Sequence, residues 1–176
     1  MKITLQPFTE SDIDRLIGWI PTAEFLLQWA GTGFRFPLDR QQLLFHLAKS
    51  MEQPPDRLIY KAVDESAGEV VGHGEILAIA PDNRSAVLGR ILVGSPQARG
   101  HGVGQQLVGE LVRICFGELE LHRVALRVYD FNRTAIRCYE QAGFKREGLH
   151  RDLHRIGSRY WSAYTMSILE DEWKRS

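Results

Sequence analysis

Only two cysteines, Cys115 and Cys138, occur in 176 residues, too few for a disulfide scaffold or a four-cysteine metal site. No stretch approaches the ~18 consecutive apolar residues of a membrane span. The opening MKITLQPFTESD lacks the apolar core of a signal peptide. The six histidines show no metal-ligand spacing, so no metal is expected. Net formal charge is also lacking: 22 basic residues balance 22 acidic ones, which gives no reason to expect nucleic acid or an anionic membrane as partner. No internal repeat or long linker divides the chain. A single reduced, cytoplasmic domain over residues 1–176 is the expectation.

What is present is ordinary in bulk, 44% hydrophobic and 25% charged, as a globular domain requires. The zero charge hides an asymmetry. Residues 1–83 carry seven basic and twelve acidic side chains, residues 84–159 thirteen and seven, and the last seventeen two and three. An anionic ligand held by the middle and a cationic one by the first half would fit this pattern. So would a solvated distribution that folding remixes.

Hydrophobic periodicity orders the elements. Ile3–Phe8 reads as a strand, and Thr9–Asp12 opens a helix with Ile13, Leu16, Ile17 and Ile20 inward. Thr22 caps a second helix over Ala23–Ala30. Asp39 or Pro37 opens a third, with Leu43, Leu44, Leu47 and Met51 on one face, stopped by Pro54-Pro55. Period-two segments follow at Arg57–Asp64, Glu69–Ala80 and Ser85–Val93. Next come a loop over Gly94–His101, a helix over Gly102–Phe116 and a strand over Arg123–Tyr129. A helix over Asn132–Ala142 ends at Gly143, a residue suited to a left-handed cap. Phe144–Leu149 and Tyr160–Leu169 close the chain as an antiparallel pair. The class is α/β with a mixed sheet.

The densest chemical signal is Val93-Gly-Ser-Pro-Gln-Ala-Arg99-Gly100-His101-Gly102-Val103-Gly104, between a strand and a helix. Alternate glycines let a ligand approach the backbone, and the helix start adds free amides and a positive dipole end. Such a loop suits a pyrophosphate. No Gly-Lys-Ser/Thr follows, which excludes a Walker A loop, and Leu107 stands where a dinucleotide-binding fingerprint needs glycine.

The spacing Arg99-x-x-Gly102-x-Gly104 after Ile91-Leu92-Val93 resembles the acetyl-CoA loop of the GNAT superfamily of N-acetyltransferases. About thirty residues on, Asn132-x-x-Ala135-x-x-x-Tyr139 followed by Gly143-Phe144 is similar to that family's second signature. The opening strand–helix–helix and the ending EGLHRDLHRIGSRYWSAYTMSILEDEW resemble the branch containing ribosomal-protein alanine N-acetyltransferases. The resemblance implies a mostly antiparallel sheet, splayed where the donor binds and flanked by helices. The implied reaction is acetyl transfer from acetyl-CoA to a primary amine, with a homodimer as a common assembly.

Site expectations follow residue by residue. The loop amides from Arg99 through Gly100, His101, Gly102, Val103 and Gly104 suit the pyrophosphate, with Arg99 and His101 as side-chain helpers. The resemblance places the pantetheine arm along Ile91, Leu92 and Val93, and the donor against Asn132 and Ala135. Tyr139 is the expected proton donor to the leaving thiolate, because a phenol of pKa ~10 stays protonated at neutral pH. The attacking amine needs a base, yet where many relatives carry glutamate this chain has Val87. Glu75 and His73, on one face of the preceding strand, are the substitutes, with bulk water as an alternative.

In the family the first two helices and the final hairpin wall the acceptor. Phe25, Trp29 and Phe34 either stack on the acceptor or belong to the core. His150–Arg155 reads as a charged edge or a dimer contact. Cys115 reads as packing, and no His or Lys flanks Cys138 to activate it. Direct attack by the amine is therefore expected. The acceptor is a protein N-terminus or a small amine such as a polyamine, amino acid or aminoglycoside, and the acidic first half suits a polycation. A non-catalytic acyl-CoA-binding or sensing domain is the alternative.

Overall fold

In the computed structural model, which describes residues 1–174, seven strands form one sheet in the order β1-β2-β3-β4-β5-β7-β6. The strands are β1 (Ile3–Pro7), β2 (Leu58–Asp64), β3 (Val70–Ala80), β4 (Ser85–Val93), β5 (Arg123–Tyr129), β6 (Lys145–Ile156) and β7 (Arg159–Leu169). All neighbours run antiparallel except β4 and β5. The mixed, mostly antiparallel α/β sheet expected from the sequence is the one observed.

Helices cover both faces. On one lie α1 (Ile13–Gly18), α2 (Ala23–Ala30) and α3 (Arg40–Lys49). Local chemistry starts two of them: the Thr22 hydroxyl accepts from the Phe25 amide at 3.1 Å, and the Asp39 carboxylate accepts from Gln42 at 2.8 Å. Ile13, Leu16, Leu26, Leu43 and Leu47 bury themselves there with Phe8 and Ile59. The face expected for α3 is narrower than its sequence suggests. Leu44 is exposed and Met51 lies beyond the helix at 70% exposure, because a ten-residue helix on the outside of the fold has only one buried stripe.

On the other face pack α4 (Val103–Arg113), continued by a π turn over Ile114–Glu118, and α5 (Arg133–Gln141). Leu107, Val108 and Leu111 are fully buried against Ile76, Leu88, Leu126 and Met166. Gly143 ends α5 at φ 94°, as expected. A last turn, α6 (Glu170–Trp173), follows β7. No helix among the described residues is long and apolar enough to cross a membrane.

Two irregularities shape the site. The β3–β4 register slips between the pairs His73–Leu92 and Glu75–Gly89, and Arg90 in that bulge has φ 50°. A bulge bends and twists its strand. Accordingly the parallel β4–β5 pairing covers only Ser85–Leu88 against Arg123–Leu126. Beyond Leu88 the strands diverge. The second irregularity lies in β6, which runs to Ile156 rather than ending at Leu149. Its register with β7 slips between His150 and His154, with Asp152 at φ 51°.

Candidate active site

The divergence of β4 from β5 opens two adjoining clefts. The smaller, about 270 Å³, is lined by Ile91, Leu92, Val93, Arg99, Asn132, Ala135 and Tyr139, with Phe25 at its rim. Seven of the residues expected to hold the donor are therefore brought together. The larger cleft, about 520 Å³, lies between the turn after α2 and strands β4, β5 and β7. Trp29, Gly89, Arg90, Arg127 and Tyr129 line both.

The loop leaves its backbone open. Gly102 caps α4 at φ 74°, and no side chain occupies the helix's first amides. A Cβ added at Gly100 or Gly102 would meet nothing within 4 Å, so the backbone is open to a ligand. Gly94 differs: a Cβ there would sit 2.0 Å from the Trp19 ring. That close approach lets α1 press on the loop. Arg99 lies over the end of β4, its Nε donating to the Val93 carbonyl at 3.3 Å, and lines the smaller cleft. His101 is exposed. Val103 contributes its backbone only, because its side chain is buried in the core.

Asn132 accepts from the Ala135 amide at 3.2 Å and so caps α5, as its position predicts. Tyr139, one face along the same helix, packs on Phe144. Burial pushes its phenol pKa well above the ordinary value. A phenol so placed stays protonated at neutral pH.

Glu75 is placed differently from the expectation. It is fully buried and lines neither cleft. Its carboxylate accepts from His46 Nε2 at 2.7 Å, from His73 Nε2 at 2.9 Å and from Arg90 Nη1 at 2.7 Å. Arg57 donates to His46 Nδ1 at 2.8 Å, which leaves the His46 proton on Nε2, directed at Glu75. Burial alone would raise the Glu75 pKa, but the two imidazole hydrogen bonds and the Arg90 charge outweigh it and hold the carboxyl below its usual range. A carboxylate so saturated is a poor base. It anchors the Arg90 bulge instead.

The aromatic residues divide as well. Trp29 is buried and its Nε1 donates to the Arg90 carbonyl at 2.8 Å. Phe34 lines neither cleft; it stacks on Trp29 and lies under the Arg90 guanidinium at 4.7 Å. Both brace the bulge. The thiols are unsuited to carry acetyl, since burial pushes Cys115 up to about 12 and raises Cys138.

Three lining residues escaped the sequence reading. Arg127 and Tyr129 alternate on the cleft face of β5. His154 reaches the cleft from β6, and the Tyr129 hydroxyl lies 2.6 Å from its Nδ1. The run expected as a charged edge does form edge strand β6, but His154 within it turns inward. Val87 lines the same cleft.

The profile of the acetyltransferase (GNAT) family matches residues 23–144. The chain belongs to the GNAT family. It is an N-acetyltransferase that takes acetyl-CoA as donor and moves the acetyl group to an amine. Among its GNAT relatives is an aminoglycoside N(6')-acetyltransferase type 1 of Klebsiella pneumoniae, 28% identical over 160 residues, covering 84% of this chain and 76% of that protein. Another is the L-amino acid N-acetyltransferase AaaT of Escherichia coli, 30% identical over 57% of this chain and 62% of that one. The crystal structure of spermidine N-acetyltransferase from Vibrio cholerae, in complex with CoA and spermine, superposes with a TM-score of 0.85 over 98% of each chain at 22% identity. That likeness is one of fold.

Proposed function

We propose that the chain transfers acetyl directly from acetyl-CoA to a small primary amine, the donor entering along Ile91–Val93 and the amine through the larger cleft. The observation that carries this reading is the meeting of the two clefts at the β4–β5 divergence, with Tyr139 lining the donor cleft and Tyr129 at the junction, lining both. Pyrophosphate rests on the amides of Gly100–Gly104 with Arg99 beside it.

An alkylammonium must lose a proton before it attacks. The Tyr129 oxygen takes that proton while its own passes to Nδ1 of His154. Burial and the Arg127 charge lower the His154 pKa, so the imidazole is neutral at pH 7 and ready to accept. The same Arg127 charge disfavours the ammonium form of a nearby acceptor. The free amine nitrogen then bonds to the thioester carbon, giving a tetrahedral intermediate. As the C–S bond breaks, the electron pair leaves on sulfur and the Tyr139 hydroxyl supplies its proton. Tyr139 regains the proton shed by the new amide nitrogen. One proton departs through His154 and one ends on CoA thiol.

Thiol release from acetyl-CoA across a panel of small amines and N-terminal peptides tests this, alongside calorimetric binding of acetyl-CoA. Turnover of a small amine is expected. Binding without any turnover would favour an acyl-CoA-sensing domain, and turnover confined to peptides would move the acceptor to protein N-termini.

A further inference from the structure

The acceptor cleft is lined by no aspartate or glutamate. Its titratable lining is Arg90, Arg127, Tyr129 and His154. The acidic first half therefore supplies no carboxylate to the lining of this cleft. Several of its acids already have partners: Glu10 and Asp14 pair with Arg40, Asp12 with Arg15 and Lys61, and Asp56 with Arg57. Glu75 is sealed in the core behind Arg90.

The two arginines are not equivalent. Arg90 has its charge neutralised by Glu75 at 2.7 Å. Arg127 is exposed, projects from β5 into both clefts, and has no carboxylate partner among the described residues. Two other strand arginines are paired, Arg123 with Glu147 and Arg146 with Glu140. Thus the acceptor cleft holds one unneutralised charge, and it is positive. A second ammonium group of a polyamine or aminoglycoside would be repelled there, whereas a carboxylate would be met by a planar two-pronged donor. Arg127 and Tyr129 lie two positions apart on one strand face, about 6–7 Å along β5. An amine at Tyr129 and an anion at Arg127 are therefore a few bonds apart.

We propose that the natural acceptor is a small primary amine bearing a carboxylate a few bonds from its nitrogen, such as an amino acid or dipeptide, and that Arg127 selects it by pairing with that carboxylate. This rests on the donor and acceptor assignment above. The cleft of about 520 Å³ matches an occupant of that size.

The test compares matched acceptors, the ω-amino acids from glycine to 5-aminovalerate and each one's amide, with spermidine as the polycation. kcat/KM is measured for the wild type, Arg127→Gln and Arg127→Glu, and binding of the same compounds to CoA-saturated protein by calorimetry. For at least one chain length the acid is expected to exceed its amide by about tenfold or more, the scale of a charge-assisted pair. That ratio should fall toward one in Arg127→Gln and invert in Arg127→Glu. Wild-type preference for spermidine, or an acid preference that survives both substitutions, overturns the proposal while leaving acetyl transfer intact. If no compound is acetylated and acetyl-CoA does not bind, the function itself fails. If only turnover is missing, the calorimetric order of acid over amide decides. Arg127 is exposed and unpaired, and thermal melts of the variants check that folding is not the cause.

Discussion

The hydroxyl of Tyr129 meets Nδ1 of His154 at 2.6 Å across an intervening strand. Tyr129 is on β5 and His154 on β6, and β7 runs between them. The residue directly opposite Tyr129 on β7 is Ala163, whose methyl leaves room for the contact. Trp161 and Phe131 pack around the phenol at ring-centre distances of 5.1 and 5.5 Å, fixing its direction. Burial pushes the Tyr129 pKa up to about 12, so the phenol stays protonated at neutral pH.

The pair sets a pH dependence of known sign. His154 must be neutral to accept, and its pKa is lowered from 6.5, so kcat at saturating acceptor should fall only as pH drops below 6.5. The groups facing it are Tyr129 and the Arg127 charge from β5; Gly31 and Trp161 are uncharged. His154→Gln and Tyr129→Phe should each reduce kcat by about 10²-fold, the lower end for general-base catalysis. His154→Gln should also abolish the acidic limb. A limb that persists would place the proton acceptor elsewhere.

Tyr139→Phe removes the donor to the thiolate while keeping the ring against Phe144. The expected loss in kcat is about 10²–10⁴-fold, with calorimetric affinity for acetyl-CoA within a few-fold of wild type. An equal loss in affinity would assign Tyr139 to binding rather than to chemistry.

Glu75→Gln should act on stability. It leaves Arg90 buried without its counterion, and urea denaturation should register a loss of about 3–5 kcal/mol. The acidic limb of the kcat profile should survive in the folded fraction. Disappearance of that limb would return Glu75 to the proton path.

Gly94→Ala places a methyl 2.0 Å from the Trp19 ring, and neither the ring nor the strand end is a flexible tip. A cost of about 1–3 kcal/mol is expected, with a raised KM for acetyl-CoA as the loop is displaced. Combining it with Trp19→Ala should recover part of both effects, since the clash is gone. Simple additivity would show that Trp19 does not position the loop.

The gathering of the expected donor residues in one cleft was legible in the sequence because each piece is local. The Arg99–Gly104 loop, the Asn132 cap and the Tyr139 helix each lie within about a dozen residues, and spacing along one turn or helix fixes their geometry. The acceptor half was not. Phe34 follows a helix and looks like a stacking residue, yet it supports Arg90. Glu75 sits on the strand face expected for a base, but His46 from α3, Arg90 from β4 and His73 two residues along its own strand close over it. His154 belongs to a run of alternating charges whose inward member cannot be read off, because the bulge at Asp152 lets His154, and not the residue that plain alternation would choose, pair beside Trp161.

The same division holds for charge. Balanced composition, the basic middle segment and the glycine-rich loop are properties of the chain itself, and it is the resemblance of that loop and of Asn132–Tyr139 to a known family that implies a phosphate-bearing donor. Which arginine keeps its charge free is a tertiary matter. Arg90 and Arg127 are both basic residues on strands beside the cleft, but a one-residue bulge turns the first onto buried Glu75, while regular pairing leaves the second facing open space. A sequence lists the charges; only the folded sheet decides which of them have already been cancelled.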